Sequence, residues 1–135
     1  MALNTRMLND GIKEEDLPVL KRLGEDLARN SLRREGNRER TIQKLSTSQI
    51  RKFFGEIKRI QADFDNCKND IVLLDPKIAY AVGRAKKNNE PSKIEDFYKE
   101  VGPLLSEIRG DKQRFKNFVN IIEAIVAYHA EAGGK

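Results

Sequence analysis

A 3.6-residue recurrence of apolar side chains runs through most of this chain, and it restricts the fold to helices packed on helices. It is clearest from Leu45 to Phe64 (LSTSQIRKFFGEIKRIQADF), where Ile50, Phe53, Phe54, Ile57, Ile60 and Phe64 recur at the spacing that lines one helix face. That face is expected to be core. Thr47 and Ser48 both carry hydroxyls able to accept from the unpaired amides of a first helical turn, so the helix is expected to begin there. Arg51 and Lys58, with Gly55 and Ala62, form a positive, low-profile stripe on the neighbouring flank, and Lys52 adds a cation beside Arg51. Gly55 costs roughly 1 kcal/mol relative to alanine inside a helix, a cost that close approach of another backbone or of a phosphate would offset. A charged face that simply meets water is the competing account of these cations.

On either side of this stretch the pattern varies in strength. The first ten or so residues have no sustained period and are expected to be loose. Leu17, Leu20, Leu23 and Leu27 give a weak amphipathic helix, with Pro18 tolerated near its first turn and Gly24 weakening it. Residues 29–44 (RNSLRREGNRERTIQK) hold six basic against two acidic side chains, with Gly36 and Asn37 in the middle, and read as a mobile basic linker. Such a linker orders on RNA or on a partner, or stays a solvated connection.

Past the central helix, residues 65–69 make a polar break and Ile71 to Leu74 a buried run. Asp75 as N-cap and Pro76 at the first helical position would start a helix running to about Lys87. On it Ile78, Val82 and Ala85 face the core, whereas Lys77, Tyr80, Arg84 and Lys87 form a separate stripe. Cations around an aromatic ring can hold phosphates while the ring stacks on a base or packs on a sugar. Equally, the ring can cover a core edge and the cations can be solubilising. Ser92 and Glu95 have capping-box spacing for a further helix containing Ile94, Phe97, Tyr98, Val101, Leu104, Leu105 and Ile108, with Gly102-Pro103 expected to kink it. Gly110-Asp111 ends that helix and caps the last one, about Lys112 to Glu131, before Gly133-Gly134.

The last helix places Phe115, Phe118, Val119, Ile122, Ile125, Val126 and His129 on one face, with Ile121, Ala124, Ala127 and Tyr128 off it. Apolar over so much of its circumference, it is either the buried centre of a bundle or part of a subunit interface. No strand pattern is read. The fold class is therefore all-α: one compact domain, residues 1–135, of about five helices, with residues 1–44 a segment that is mobile or exchanged between subunits.

Chemistry is constrained by what is scarce. His129 is the one histidine, so no histidine metal cluster or triad can be assembled within one chain, and a structural role is expected for it. Cys67 is the one cysteine, which excludes an intramolecular disulfide. No carboxylate pair sits in an apolar setting and no glycine-rich phosphate loop is present. No catalytic residue, metal site or cofactor is expected. The basic excess lies in the first two thirds: residues 1–46 hold 10 basic and 8 acidic, 47–90 hold 9 and 6, and 91–135 hold 7 and 7. That bias favours an anionic partner, nucleic acid before membrane. An N-terminus without an apolar signal core suggests a cytoplasmic protein.

Three stretches carry a family resemblance: LSTSQIR (Leu45 to Arg51), DPKIAYAVGR (Asp75 to Arg84) and FVNIIEAIVAYHAEAGGK (Phe118 to Lys135). In their order, spacing and helical setting the chain resembles the small subunit of the type III-A CRISPR effector, the Csm complex, over residues 45–135. The resemblance implies a non-catalytic helical subunit of an antiviral defence complex. Several copies would stack beside the guide-RNA-bound backbone subunits and line the groove where guide RNA and target RNA pair. Its partners would be those RNAs, other effector subunits and further copies of itself. Arg51, Lys77, Tyr80 and Arg84 match its motifs as RNA-channel candidates, and Lys52, Lys58 and Lys87 join them on physical grounds. The alternative is a purely structural, self-associating assembly subunit with no direct RNA contact.

Overall fold

The computed structural model describes residues 2–133; Gly134 and Lys135, the last two residues of the third stretch, lie outside the described residues. Among the described residues the helices are α1 (Thr5–Asp10), α2 (Leu17–Leu27), α3 (Thr47–Ala62), α4 (Phe64–Cys67), α5 (Leu74–Lys87), α6 (Ile94–Ile108) and α7 (Lys112–Glu131), with 3-10 turns at Glu14–Asp16 and Lys68–Leu73. Five of these helices are 11 residues or longer. The mostly helical class read from periodicity is what forms. No helix among the described residues is long and apolar enough to cross a membrane.

Helix α7 is the centre of the bundle. It packs against α1, α2, α3 and α6, and this explains why it is apolar on more than one face. Ile121, off its main stripe, is as fully buried as Ile122 and Ile125. Phe115 and Phe118 join an aromatic cluster in which Phe53 of α3 meets Phe97 edge-on at 5.4 Å and Phe118 at 6.4 Å, the arrangement that ring quadrupoles favour. His129 is buried, and its Nε2 lies 2.6 Å from the Leu45 carbonyl oxygen. With a carbonyl as acceptor that nitrogen donates, so the ring ties the end of α7 to the residue before the cap of α3.

Gly24 is where α2 crosses α7 most closely. A Cβ built there would stand 2.7 Å from Tyr128 Cβ and 3.0 Å from the His129 nitrogen. The glycine that weakens α2 as an isolated helix is what lets the two backbones approach. The N-terminal residues also differ from expectation. Asn4 caps α1 by accepting from the Met7 amide, Met7 and Leu8 are buried, and the Ala2 amide donates to Glu100 at 2.9 Å. A helix of fewer than two turns offers too little periodicity to be read, yet two buried apolar side chains hold it on α7.

Residues 29–44 are not an irregular linker. They form an antiparallel hairpin, β1 (Ser31–Glu35) and β2 (Arg38–Ile42), closed by Gly36 at φ 62° and Asn37. A positive φ at the first loop position suits a two-residue II′ turn. Backbone bonds then stitch the chain onward: Gln43 donates to Pro91, Lys93 donates to Gln43, and Leu45 donates to Leu27.

Several helix ends are shifted. The cap of α3 is Ser46, whose hydroxyl accepts from the Gln49 amide while the Gln49 side chain accepts from the Ser46 amide, a reciprocal box that Thr47 and Ser48 are too late to make. Helix α5 starts at Leu74, so Asp75 is not its cap; that carboxylate accepts from the Tyr98 hydroxyl at 2.7 Å. Ser92 accepts from the Ile94 amide, whereas Glu95 sits near Lys86 and Lys99 rather than closing a box. Helix α6 runs unbroken through Gly102-Pro103. Of the run 71–74, Ile71 and Leu74 are buried but Val72 and Leu73 are exposed.

Candidate nucleic-acid interface

Helix geometry, one ion pair and one shared recess define how α3 and α5 face each other. At about 100° per residue, the α3 core residues Ile50, Phe53, Ile57 and Ile60 leave Gln49, Lys52 and Glu56 on one flank and Arg51, Lys58 and Phe54 on the other. On α5 the core stripe Leu74, Ile78 and Val82 leaves Lys77, Ala81 and Arg84 on one flank and Asp75 and Lys86 on the opposite one. Lys77 Nζ meets Glu56 Oε2 at 2.9 Å. At the other end Gln49 and Arg84 line one recess of about 310 Å³. The flanks carrying Glu56 and Lys77 therefore face each other antiparallel, with Lys52 between the two points of contact.

The result is a shallow groove. Gln49 of α3 and Arg84 of α5 line it from its two sides, the Glu56–Lys77 pair joins the same two helices further along, and helix geometry puts Lys52 on the α3 flank that carries Gln49 and Glu56. Ala81 is in its floor, and Lys44 stands at the end beside Gln49. Tyr80 sits on the outer rim, 70% exposed, with the Arg84 guanidinium 5.9 Å from its ring centre. Tyr80 does not cover a core edge. An exposed ring next to a guanidinium offers a flat face and a charge together.

Charge within the groove is partly compensated. The Lys77 ammonium, more than Arg59, holds the Glu56 carboxyl below the ordinary carboxylate range. Arg59 is drawn toward Asp70 at 3.3 Å, and its own basicity is raised mainly by that bond. Lys52 and Arg84 make no ion pair among the described residues.

The seven candidates thus fall into two groups. Lys77 and Arg84 lie on the α5 flank toward α3, with Tyr80 beside Arg84 near the outer pole, and helix geometry puts Lys52 on the α3 flank that carries Gln49 and Glu56. Arg51 and Lys58 lie across α3 on its far flank, with Lys58 above the Phe54 ring at 5.8 Å, and Lys87 is on the outer pole of α5. Gly55 has nothing within 4 Å of a built Cβ, so no backbone among the described residues accounts for it. Lys44 and Gln49 were not legible as groove residues, since one lay in the presumed linker and the other looked like part of a helix start. Among the described residues no group of three or more histidine, cysteine, aspartate or glutamate side chains is placed to hold a metal ion.

Comparison with known proteins supplies a family. A family model described as Csm2 Type III-A matches residues 22–135, nearly the whole chain, and its match takes in the second half of α2 and the hairpin as well as the three resembling stretches. No curated protein and no solved structure matches.

Proposed function

The chain belongs to the Csm2 Type III-A family, small subunits of the type III-A CRISPR effector complex, and from that premise we propose that it binds RNA backbone through the α3/α5 groove while catalysing nothing itself. The observation that carries this reading is the recess in which Arg84 of α5 meets Gln49 of α3 and Lys44, with exposed Tyr80 beside Arg84 and Lys77 paired to Glu56 of α3; helix geometry adds Lys52 on the same flank of α3. Phosphates are neutralised by the cations and a base or sugar rests on the ring. Arg51, Lys58 and Lys87 would take neighbouring phosphates of the same guide-target duplex. Sequence is read by base pairing between guide and target, and the subunit reads charge and shape. It works in the cytoplasm among the other effector subunits and further copies of itself.

The test is target-RNA affinity of the reconstituted complex carrying Lys52→Ala and Arg84→Ala together, measured across salt. Two lost contacts lower the slope of log K against log salt by about 1.4 if the bound strand is single and by about 1.8 if it is duplex. Unchanged affinity and slope, with helicity intact, would sink the proposal.

One observation favours the rival reading of a self-associating assembly subunit without RNA contact. Val72 and Leu73 are 73% and 48% exposed, and Val72 lines a depression of about 620 Å³ with Ile71 and Leu105. Exposed apolar groups clustered this way suit a protein contact. The last helix, by contrast, spends its apolar surface inside the chain. Val72→Asp with Leu73→Asp should break the assembly under that reading and leave RNA affinity per assembled complex untouched under ours.

A further inference from the structure

The hairpin has no role in the reading above, and its charge arrangement is unusual. Strand pairing sets Arg33 directly opposite Arg40 and Glu35 directly opposite Arg38. Directly paired residues share a face of a ribbon, and so do alternate residues along each strand. One face of the ribbon therefore carries Arg33, Arg38 and Arg40 against Glu35; its base is anchored by buried Ile42, where Arg33 and Ile42 line a recess with Glu95, Asp96 and Lys99 of α6, so Arg38 and Arg40 toward the tip are the cations away from those carboxylates. The opposite face is balanced, with Arg34 paired to Glu39 and Leu32 to Thr41.

Two arginines placed directly across a strand pair repel each other, so the arrangement costs stability as it stands. Glu35 only partly relieves it, reaching Arg33 at 2.7 Å and Arg40 at 3.7 Å, while Arg38 has no ion pair among the described residues. An anion on this face would relieve the remainder. The guanidinium fork suits phosphate oxygens in particular, because it can donate two parallel hydrogen bonds.

Position adds a second, independent argument. Arg40 donates to the Asn89 carbonyl and side-chain oxygens at 2.9 and 3.0 Å, which fixes β2 against the end of α5. The recess beside Arg40 shares Gln43 and Glu90 with the recess holding Lys44 and Arg84. The recess beside Arg40 also takes in Glu39 and Thr41 of the balanced face, so β2 as a whole begins where the recess between Gln49 and Arg84 ends.

We infer that the hairpin is a second RNA-backbone site, an arm that continues the groove and takes the phosphates of the same strand through Arg33, Arg38 and Arg40. This rests on the proposed RNA role of the groove. The five paired positions of the arm span roughly 17 Å at about 3.3 Å per residue, the length of about five stacked nucleotides at 3.4 Å each.

The experiment uses the full chain and a 12-nucleotide single-stranded RNA, chosen at about 3.4 Å per nucleotide to exceed groove and arm together. Arg33→Gln, Arg38→Gln and Arg40→Gln combined should lower the slope of log K against log salt by about 2, since each single-strand phosphate contact contributes about 0.7. The matching triple lysine variant should keep the slope. Circular dichroism of both variants checks that the helices stand. A drop smaller than one contact, about 0.7, overturns the inference while leaving the groove reading intact, and marks the arm as a protein contact instead. If the unmodified chain shows no salt-sensitive binding, groove and arm readings fall together, whereas loss on Lys52→Ala with Arg84→Ala but not on the arginine triple removes the arm alone.

Discussion

Replacing Gly24 by alanine probes the crossing on which α2 depends. In an exposed helix interior the change stabilises, because alanine is favoured over glycine by about 1 kcal/mol. At Gly24 the new Cβ would stand 2.7 Å from Tyr128 Cβ, 3.0 Å from the His129 nitrogen and 3.1 Å from the Ile125 carbonyl oxygen. Two of these atoms are backbone and the third is a Cβ, so no rotamer change relieves them. Carbon pairs pack best at about 3.5–4.0 Å, and α2 would have to lift from α7 by roughly 1 Å along the face where Leu20, Leu23 and Leu27 are buried. Overpacking of a core costs about 1–3 kcal/mol, and immovable neighbours favour the upper part of that range. After the propensity gain, the net expectation is a loss of about 1–2 kcal/mol. Gly55→Ala is the matched control, mid-helix with nothing within 4 Å, and should gain about 0.5–1 kcal/mol. Urea titrations followed by helical circular dichroism report both as midpoint changes at constant slope. Stabilisation at both positions would refute the close crossing.

His129→Phe keeps the ring volume but leaves the Leu45 carbonyl without its donor, and should lose about 1–3 kcal/mol in the same titration. Asp16 is buried against Arg6, whose hydrogen bond, more than the Lys13 amide, lowers its carboxyl below the ordinary range. A lowered folded value means that its stabilisation is complete above the unfolded value and lost as pH falls through the folded one. Asp16→Asn should therefore show a shallower loss of stability than the wild type below about pH 4. Glu56→Gln releases Lys77 from its ion pair and should raise RNA affinity with a slope steeper by about 0.7, read in the salt titration used for the groove.

Long amphipathic elements were legible because burial on one side imposes a period that side chains must obey. The core faces of α3, α5, α6 and α7 could be written down from spacing alone, and Ile50, Ile57, Ile78, Phe97 and Phe118 are buried as that spacing requires. The hairpin was missed for the complementary reason. Nothing covers most of either face, so its strands need no apolar alternation and carry arginine and glutamate instead. The one local signal was Gly36-Asn37 between two five-residue arms, a pair suited to a two-residue turn. The cap of α3 falls one or two residues before Thr47 and Ser48, because serine and threonine crowd the start of that helix and only the reach of Gln49 back to Ser46 decides among them. For the candidate interface, spacing could assign cations to a helix but not helices to each other. That α3 presents the flank of Lys52 and Glu56, and not that of Arg51, to α5 depends on the Glu56–Lys77 contact, 21 residues apart in sequence.

This arrangement also separates folding from charge. Helix α7 supplies the surfaces on which α1, α2, α3 and α6 settle, and its buried side chains are apolar apart from Asn117 and His129, each hydrogen-bonded to a backbone carbonyl. Helix α5 lies outside that set. It docks on α6 through Leu74, Ile78 and Val82 and reaches α3 through the exposed Glu56–Lys77 pair. An ion pair of that exposure is worth at most about 1 kcal/mol. The groove between α3 and α5 is thus bounded by one helix fixed in the core and one held mainly from its other side. Its cations can be exchanged with little effect on the fold, since none of Lys52, Lys77 or Arg84 is buried. Loss of RNA engagement in such variants would therefore measure the contact itself rather than a loosened domain.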